Sequence, residues 1–270
     1  LFFVIVTPFI VLPLSNRNNF ETRLSGLISL SISLYSPQSK PYWEEFKLAS
    51  RPYGNIISCL QEIQRNPVNA KGQTVLPVVW DCNSLEEVCG SCTMIVNGRV
   101  RQSCTALVNK LDKPITLEPM SKFPVVRDLQ VDRSRMFENL KKIKGWIEID
   151  GSHDIGEGPL IPDKQRATAY ALSECMTCGC CLEACPQFTL TNNFLGAATF
   201  SQVRLFNIHP TGAINKEARL EAVMGEGGIT DCGNAQVCVE VCPKKIPLTE
   251  SIAEIGLHTS LQALKNLFAK

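Results

Sequence analysis

The stretch CMTCGCCLEACP, residues 175–186, contains four cysteines in the spacing C-x2-C-x2-C-x3-C-P. Such a run binds one cubane iron–sulfur cluster through its first three thiolates, whereas its last cysteine, here Cys185 before Pro186, binds another cluster. A zinc site instead has four ligands, arranged as two pairs with a longer spacer between them. The spacing therefore predicts one cluster bound by the first three cysteines, which are Cys175, Cys178 and Cys181.

A second run, CGNAQVCVEVCP at residues 232–243, has the same ending but carries Ala235 where the first run has its second cysteine. If the two runs exchange their last cysteines, Cys242 completes the first cluster as a [4Fe–4S] centre. Because alanine offers no metal-binding atom, the other cluster is expected to lack one iron and to be a [3Fe–4S] centre. The alternative is a fourth iron bound by water. The three ligands of this cluster are then Cys185, Cys232 and Cys238.

An earlier group consists of Cys89 and Cys92, separated by two residues, and then Cys104. It matches the end of the pattern C-x4-C-x2-C…C of a plant-type [2Fe–2S] cluster. The pattern places its first cysteine at position 84, where the chain has Ser84, and Cys82 lies two residues earlier. Thiolate suits a sulfide-bridged centre better than a serine oxygen does. We therefore favour Cys82 as the first ligand, with Ser84 as one alternative and a remnant without a cluster as another.

The composition is consistent with this chemistry. The 13 cysteines of the 270 residues fall mostly in these three groups, which is unlike the disulfide framework of a small secreted domain. Cys59 and Cys180 lie outside the patterns and are expected to pack in the core. A net charge of +1 and few aromatic residues argue against a nucleic-acid partner. The sequence has no nucleophile–base pair and no phosphate loop, so we predict no catalytic residue.

Hydrophobic patterning divides the chain into three parts. Residues 1–26 are expected to be an N-terminal extension, because their apolar run is too short to span a membrane. Residues 27–122 form a predicted α+β domain, and residues 123–270 form a predicted all-α domain. The first domain is predicted to contain strands at 27–34, near Phe46, at 75–80, 93–101 and 115–117, and a helix capped by Asn55. The second is predicted to contain helices at 131–144, 165–174, 216–224 and 248–268, with a loop at 150–163.

The order of these motifs resembles the iron–sulfur subunits of succinate dehydrogenase and fumarate reductase, and is most similar to the succinate:menaquinone reductases of Gram-positive bacteria. The resemblance covers about residues 27–268. Four stretches also carry it: RNPVNAKG at 65–72, FPVVRDLQVDRSRMF at 123–137, SQVRLFN at 201–207 and HPTGA at 209–213.

The resemblance implies a β-grasp [2Fe–2S] ferredoxin domain followed by a helical ferredoxin domain with two cubane-type clusters. It also implies an electron carrier between a FAD flavoprotein subunit and a quinone at a membrane-anchor cytochrome b subunit, peripheral on the cytoplasmic face of the cell membrane. Cys82 or Ser84, with Cys89, Cys92 and Cys104, would then face the flavin. The set with Cys185 would lie nearest the membrane. Substrate chemistry would belong to the flavoprotein.

Three other functions remain open from the sequence. One is a fumarate reductase that runs the reaction in reverse, and another is a freely diffusing ferredoxin-type carrier. The third is a helical iron–sulfur subunit of the heterodisulfide-reductase or glycolate-oxidase kind, although Ala235 and the [2Fe–2S] motif argue against it. Ubiquinone-type relatives carry Trp and His where this chain has Leu190 and Gly233. This difference indicates menaquinone, or a quinone pocket built mostly by the anchor.

Overall fold

The structure is a computed structural model that describes residues 26–35, 40–148 and 160–268. Nearly all of the predicted N-terminal extension and most of the predicted loop at 150–163 lie outside the described residues. Two hydrophobic cores divide the described chain into a sheet domain and a helical domain. The α+β class predicted from the sequence is therefore confirmed.

The sheet domain contains five strands in the order β2-β1-β5-β3-β4. Strand β1 pairs in parallel with β5, and the other neighbouring pairs are antiparallel. The Asn97-Gly98 turn joins β3 to β4, as the hairpin signal predicts. The strands are β1 (Leu27–Leu34), β2 (Tyr42–Ala49), β3 (Thr93–Val96), β4 (Arg99–Gln102) and β5 (Ile115–Glu118).

Helix α1 (Ile56–Arg65) covers this sheet. Its N-terminus is capped because the Ser58 N–H donates to Asn55 Oδ1 at 2.8 Å, while the Asn55 N–H donates to Ser58 Oγ at 3.0 Å. Such a reciprocal cap pairs two backbone donors that the first turn of a helix leaves free. Cys59 lies on the buried face of α1 and contacts the core, as predicted.

The predicted strand at 75–80 is wrong. Val78 is buried, but the segment joins no sheet. The Val79 N–H donates instead to Asp128 Oδ2 at 2.9 Å, and its carbonyl accepts from the Leu129 N–H at 3.1 Å. A short apolar run indicates burial without specifying the backbone partner.

The helical domain begins with a two-stranded ribbon, β6 (Val125–Arg127) and β7 (Gln130–Val131), and continues with helices. Short 3-10 turns lie at Val108–Lys110 in the sheet domain and at Gly212–Asn215 and Ile229–Asp231 in the helical domain. The helices are α2 (Ser134–Lys142), α3 (Asp163–Ser173), α4 (Cys180–Ala184), α5 (Ala197–Ile208), α6 (Lys216–Ala222), α7 (Val237–Glu240) and α8 (Leu248–Phe268). Within the described ranges, no helix is long and apolar enough to cross a membrane.

Helix α5 is the main element that the sequence analysis missed. It packs against α2, α3, α6 and α8 at the centre of the helical domain. Its buried positions include small or polar residues such as Ala197, Thr199 and Ser201. Hydrophobic periodicity therefore does not reveal this helix, because close packing rather than large apolar side chains holds it in place.

Candidate metal centres

Set 1 consists of Cys82, Cys89, Cys92 and Cys104, which the loop before β3 and the end of β4 bring together. Backbone N–H groups donate to each of the four sulfurs. The Cys92 and Cys104 thiols are hydrogen-bonded to each other, and Cys82 is close enough to Cys104 and Cys89 to interact electrostatically with both. N–H groups directed at sulfur stabilise negative charge, so this loop suits a thiolate-ligated [2Fe–2S] cluster.

The two candidates for the first ligand have different surroundings. The backbone N–H of Ser84 donates to Cys89 Sγ at 3.4 Å, and the Ser84 hydroxyl also bonds to this sulfur. Burial raises the pKa of Cys89, but hydrogen bonds from Ser84 and Ser91 outweigh it and lower this pKa to about 6. Cys82 instead lies close enough to the sulfurs of Cys104 and Cys89 to interact electrostatically with both. Ser84 thus contacts a predicted ligand, whereas Cys82 adds a fourth sulfur.

Set 2 lines an apolar cavity in the helical domain. About 380 Å³ of this cavity, including its opening to solvent, is free of protein atoms. The second run supplies one of its sulfurs, as predicted from the exchange of last cysteines. Met136, Ile246 and Leu248 line the rest of the wall. The cysteines of set 2 are Cys175, Cys178, Cys181 and Cys242.

Set 3 lines a second cavity, in which about 370 Å³ is free of protein atoms, again including the opening to solvent. Ala235 lies in its wall together with Gln187 and Phe194. Pro186 is exposed and directly follows the cysteine that the first run contributes to this cavity. The cysteines of set 3 are Cys185, Cys232 and Cys238.

Three thiols of set 2, those of Cys175, Cys178 and Cys181, have a raised pKa and are costly to ionise without a metal. Burial raises the pKa of Cys181, and the neighbouring sulfurs of the set raise it further. A hydrogen bond to Cys180 and then burial raise the pKa of Cys178. Because iron binds thiolates, loading these sites must release protons. In a cubane cluster each iron binds its own thiolate, so the sulfurs of set 2 need not converge on one point. Among the described residues, no three Cys, His, Asp or Glu side chains form a site for a single ion.

Set 2 adjoins both of the other sets. A Cβ atom built on Gly90 of the set 1 loop would lie 2.7 Å from Cys178 Cα of set 2. Only glycine therefore allows this contact, and its φ of +71° also favours glycine. Arg133 supports the loop by donating to the Gly90 carbonyl at 2.5 Å. Sets 2 and 3 adjoin through α4 and α7, which pack together, and Cys181 interacts electrostatically with Cys238.

Sequence reasoning missed three residues that hold these loops. Glu183 of α4 is buried and accepts from the backbone N–H groups of Ser121 and Lys122, each at 3.0 Å, and so binds α4 to the segment that connects the two domains. Arg133 and Gln102 bridge the same interface. Their partners are distant in sequence, so no local pattern indicates their roles.

Comparisons with known proteins agree with this geometry. The family described as "2Fe-2S iron-sulfur cluster binding domain" matches residues 29–138, and the family described as "4Fe-4S dicluster domain" matches residues 171–246. A solved chain of the "Mycobacterium smegmatis Sdh1 complex in the apo form" has the same fold, with a TM-score of 0.73 and 22% identity. The alignment covers 87% of this chain and 95% of that one.

The succinate dehydrogenase iron-sulfur subunit of Bacillus subtilis (strain 168) is 62% identical over 85% of this chain and 91% of its own length. The fumarate reductase iron-sulfur subunit of Mycobacterium tuberculosis (strain CDC 1551 / Oshkosh) is 33% identical over 89% and 96%, respectively. That of Wolinella succinogenes is 30% identical over 85% and 96%. The chain therefore belongs to the family of succinate dehydrogenase iron-sulfur subunits, with a 2Fe-2S domain followed by a 4Fe-4S dicluster domain.

Proposed function

We propose that this chain carries single electrons from a FAD flavoprotein subunit, which oxidises succinate to fumarate, to a quinone at a membrane-anchor cytochrome b subunit. The observation that carries this proposal is that set 2 adjoins both set 1, in the sheet domain, and set 3, whose loop is exposed on the helical domain. When bound, iron–sulfur clusters supply one-electron chemistry. The protein's part is to hold them in order and to cover the middle one.

In this proposal Cys82, Cys89, Cys92 and Cys104 hold a [2Fe–2S] cluster that faces the flavin. Ser84 is a hydrogen-bond donor to Cys89 rather than a ligand, since both its N–H and its hydroxyl are directed at that sulfur. A donor of this kind raises the potential of a cluster by stabilising the charge that reduction adds.

Set 2 holds a [4Fe–4S] cluster and set 3 a [3Fe–4S] cluster. The assignment of set 3 is supported by Ala235, which lies in the cavity wall and has no metal-binding atom. It is also supported by Pro186, which ends α4 and lets Cys185 point away from the sulfurs that precede it.

The quinone in this proposal is a menaquinone, bound mainly by the anchor. Leu190 is exposed and has no hydrogen-bonding group. A Cβ atom at Gly233 would lie 2.7 Å from Gln187 Nε2, so a polar side chain at this position meets Gln187 first. Neither position therefore offers a side-chain donor to a quinone oxygen.

We place the chain peripherally on the cytoplasmic face of the cell membrane, bound to its partner subunits. Exposed leucines at helical spacing on α8 support a partner contact, because one helix face rarely leaves several large apolar side chains in water. These are Leu257, Leu261 and Leu264.

The complex can be tested by purifying the tagged full-length chain from solubilised membranes. We expect a flavin-containing subunit and a haem-containing subunit in the eluate, with separate EPR signals from a reduced [2Fe–2S], a reduced [4Fe–4S] and an oxidised [3Fe–4S] centre. Elution of a cluster-loaded chain without partners would instead support a freely diffusing ferredoxin-type carrier.

The first ligand of set 1 can be tested with Cys82→Ala and Ser84→Ala, read by EPR of the reduced protein. We expect Cys82→Ala to abolish the [2Fe–2S] signal. Ser84→Ala should keep the signal but lower the midpoint potential of the [2Fe–2S] cluster, because the hydroxyl donor to Cys89 is lost. An unchanged signal in Cys82→Ala together with a lost signal in Ser84→Ala would reverse the assignment.

Fumarate reduction is the second candidate function, because fumarate reductase iron-sulfur subunits are among the similar proteins. The cysteine sets serve either direction equally. Rates of succinate oxidation and fumarate reduction, compared in the same membranes with the native quinone, distinguish the two.

A further inference from the structure

Gln102, the last residue of β4, lies between set 1 and the loop of set 2. Its side chain is 1% exposed. Its Oε1 lies 3.5 Å from Cys92 Sγ, and its Nε2 lies 2.6 Å from Thr93 Oγ1 and 3.6 Å from Cys180 Sγ. One buried amide therefore contacts a set 1 cysteine and a cysteine within the set 2 run.

The partners of this amide depend on the state of Cys92. As a thiol, Cys92 donates to Gln102 Oε1. A sulfur bound to iron has lost its proton and can only accept, so a carbonyl oxygen facing it would be repelled. Turning the amide by 180° exchanges Oε1 and Nε2 with almost no change in shape, and an N–H then faces the sulfur.

The surrounding groups can satisfy the turned amide. Oε1 would then face the Thr93 hydroxyl and the Cys180 thiol, both of which can donate. The Thr93 hydroxyl would give up its 2.8 Å bond to the Gly90 carbonyl. That carbonyl still accepts from Arg133, so it keeps a partner.

We propose that Gln102 is a positioning residue for electron transfer, which donates its amide N–H to the Cys92 sulfur in the cluster-loaded protein and accepts from Cys180. The inference deepens the proposed function and depends on it. A hydrogen bond to a ligand sulfur favours the reduced cluster. Gln102 thus raises the potential of the [2Fe–2S] centre and links its loop to that of the next centre.

The experiment compares Gln102→Met with Gln262→Met in the purified complex. Gln262 is a matched control because it is also a buried glutamine with a side-chain bond, to Asn266 on α8. Redox titration followed by EPR should show a lower [2Fe–2S] midpoint for Gln102→Met. ENDOR spectra recorded in H2O and in D2O identify the exchangeable protons coupled to the cluster, and Gln102→Met should have one such coupling fewer than the parent protein. The control should match the parent protein in both measurements.

A second pair keeps the test decisive if Gln102→Met fails to load iron. Thr93→Val removes the hydroxyl that holds the turned amide, whereas Thr93→Ser retains it. We expect a lower midpoint for Thr93→Val, with a smaller shift than for Gln102→Met, and the parent value for Thr93→Ser.

The outcomes separate this inference from the proposed function. A parent complex without any [2Fe–2S] signal overturns the cluster assignment and, with it, the role of Gln102. A parent signal whose midpoint and proton coupling are unchanged in Gln102→Met overturns the role of Gln102 alone. If Gln102→Met does not load iron, equal midpoints in Thr93→Val and Thr93→Ser overturn it.

Discussion

The runs at 175–186 and 232–243 share a backbone path but have different surroundings. Thr177 and Asn234, at equivalent positions, both have φ near +51°. Gly179 and Gln236, two residues further on, are also left-handed. A short helix follows in each run, α4 or α7. The same loop is therefore built twice, once for set 2 and once for set 3.

The two loops differ in what covers them. The set 1 loop packs against the first run through Gly90, whereas residues 233–236 of the second run are exposed. The exposed loop is also the one that carries Ala235 in place of a cysteine. The same backbone path therefore occurs in a covered and in an exposed setting. In the proposed function the covered copy holds the middle centre, and the exposed copy presents the terminal centre to a partner.

The largest effect is expected from Cys178→Ala, which makes the covered loop like the exposed one. Set 2 would keep three sulfurs, so we expect a second three-iron EPR signal in oxidised protein. Electron transfer from succinate to quinone should fall more than about tenfold, since changes around a metal site already cost this much. The matched control is Cys180→Ala, which removes a neighbouring cysteine outside the ligand pattern. A lost cluster in the control and an intact one in Cys178→Ala would contradict the assignment.

Ala235→Cys makes the opposite change. A fourth thiolate should convert the three-iron centre to [4Fe–4S], so the oxidised three-iron signal should disappear. Four-iron centres commonly have lower potentials, so reduction of quinone should slow while reduction of an artificial acceptor near the flavin is retained. Ala235→Ser is the control, because its harder oxygen is a poor substitute for thiolate. Persistence of the three-iron signal in Ala235→Cys would show that position 235 is not the fourth ligand position of this cluster.

Iron removal should affect the two domains unequally. Helices α4 and α7 have five and four residues, too few to be stable alone, and metal binding contributes directly to folding free energy. We expect chelation to reduce amide protection around α4 and α7 by more than about tenfold, measured by hydrogen exchange. The strand pair β1–β2 should keep its protection. Equal loss in both regions would contradict this expectation.

The smallest effect concerns the second left-handed position in each run, Gly179 or Gln236. Gly179→Ala should cost about 1–2 kcal/mol, because a left-handed conformation disfavours a Cβ atom and this one would meet Phe123 at 3.3 Å. Gln236→Gly should change stability by less than about 0.5 kcal/mol, since relief of strain offsets the greater freedom of unfolded glycine. Thermal unfolding of the cluster-loaded protein measures both changes. Equal losses in the two variants would show that the loops are not equivalent in backbone.

Features that depend on neighbours along the chain can be predicted from the amino-acid sequence. Alternating residues predict β1, the Asn97-Gly98 turn predicts the hairpin of β3 and β4, and cysteine spacing predicts sets 2 and 3. The geometry agrees with these expectations because each is encoded by a local period or by the short reach of a loop. The exchange of Cys185 and Cys242 also follows from spacing, since a known pattern specifies it.

Features that depend on distant partners become apparent in the folded protein alone. The segment at 75–80 bonds to Asp128 rather than to a sheet, and α5 packs through small residues that show no apolar period. Gln102 lies 78 residues from Cys180, yet their side chains are in contact. Similarly, Ser84 and Cys82 are two residues apart, and only the folded loop shows which sulfurs each one faces. Such contacts arise when separate segments pack together, and no local pattern records them.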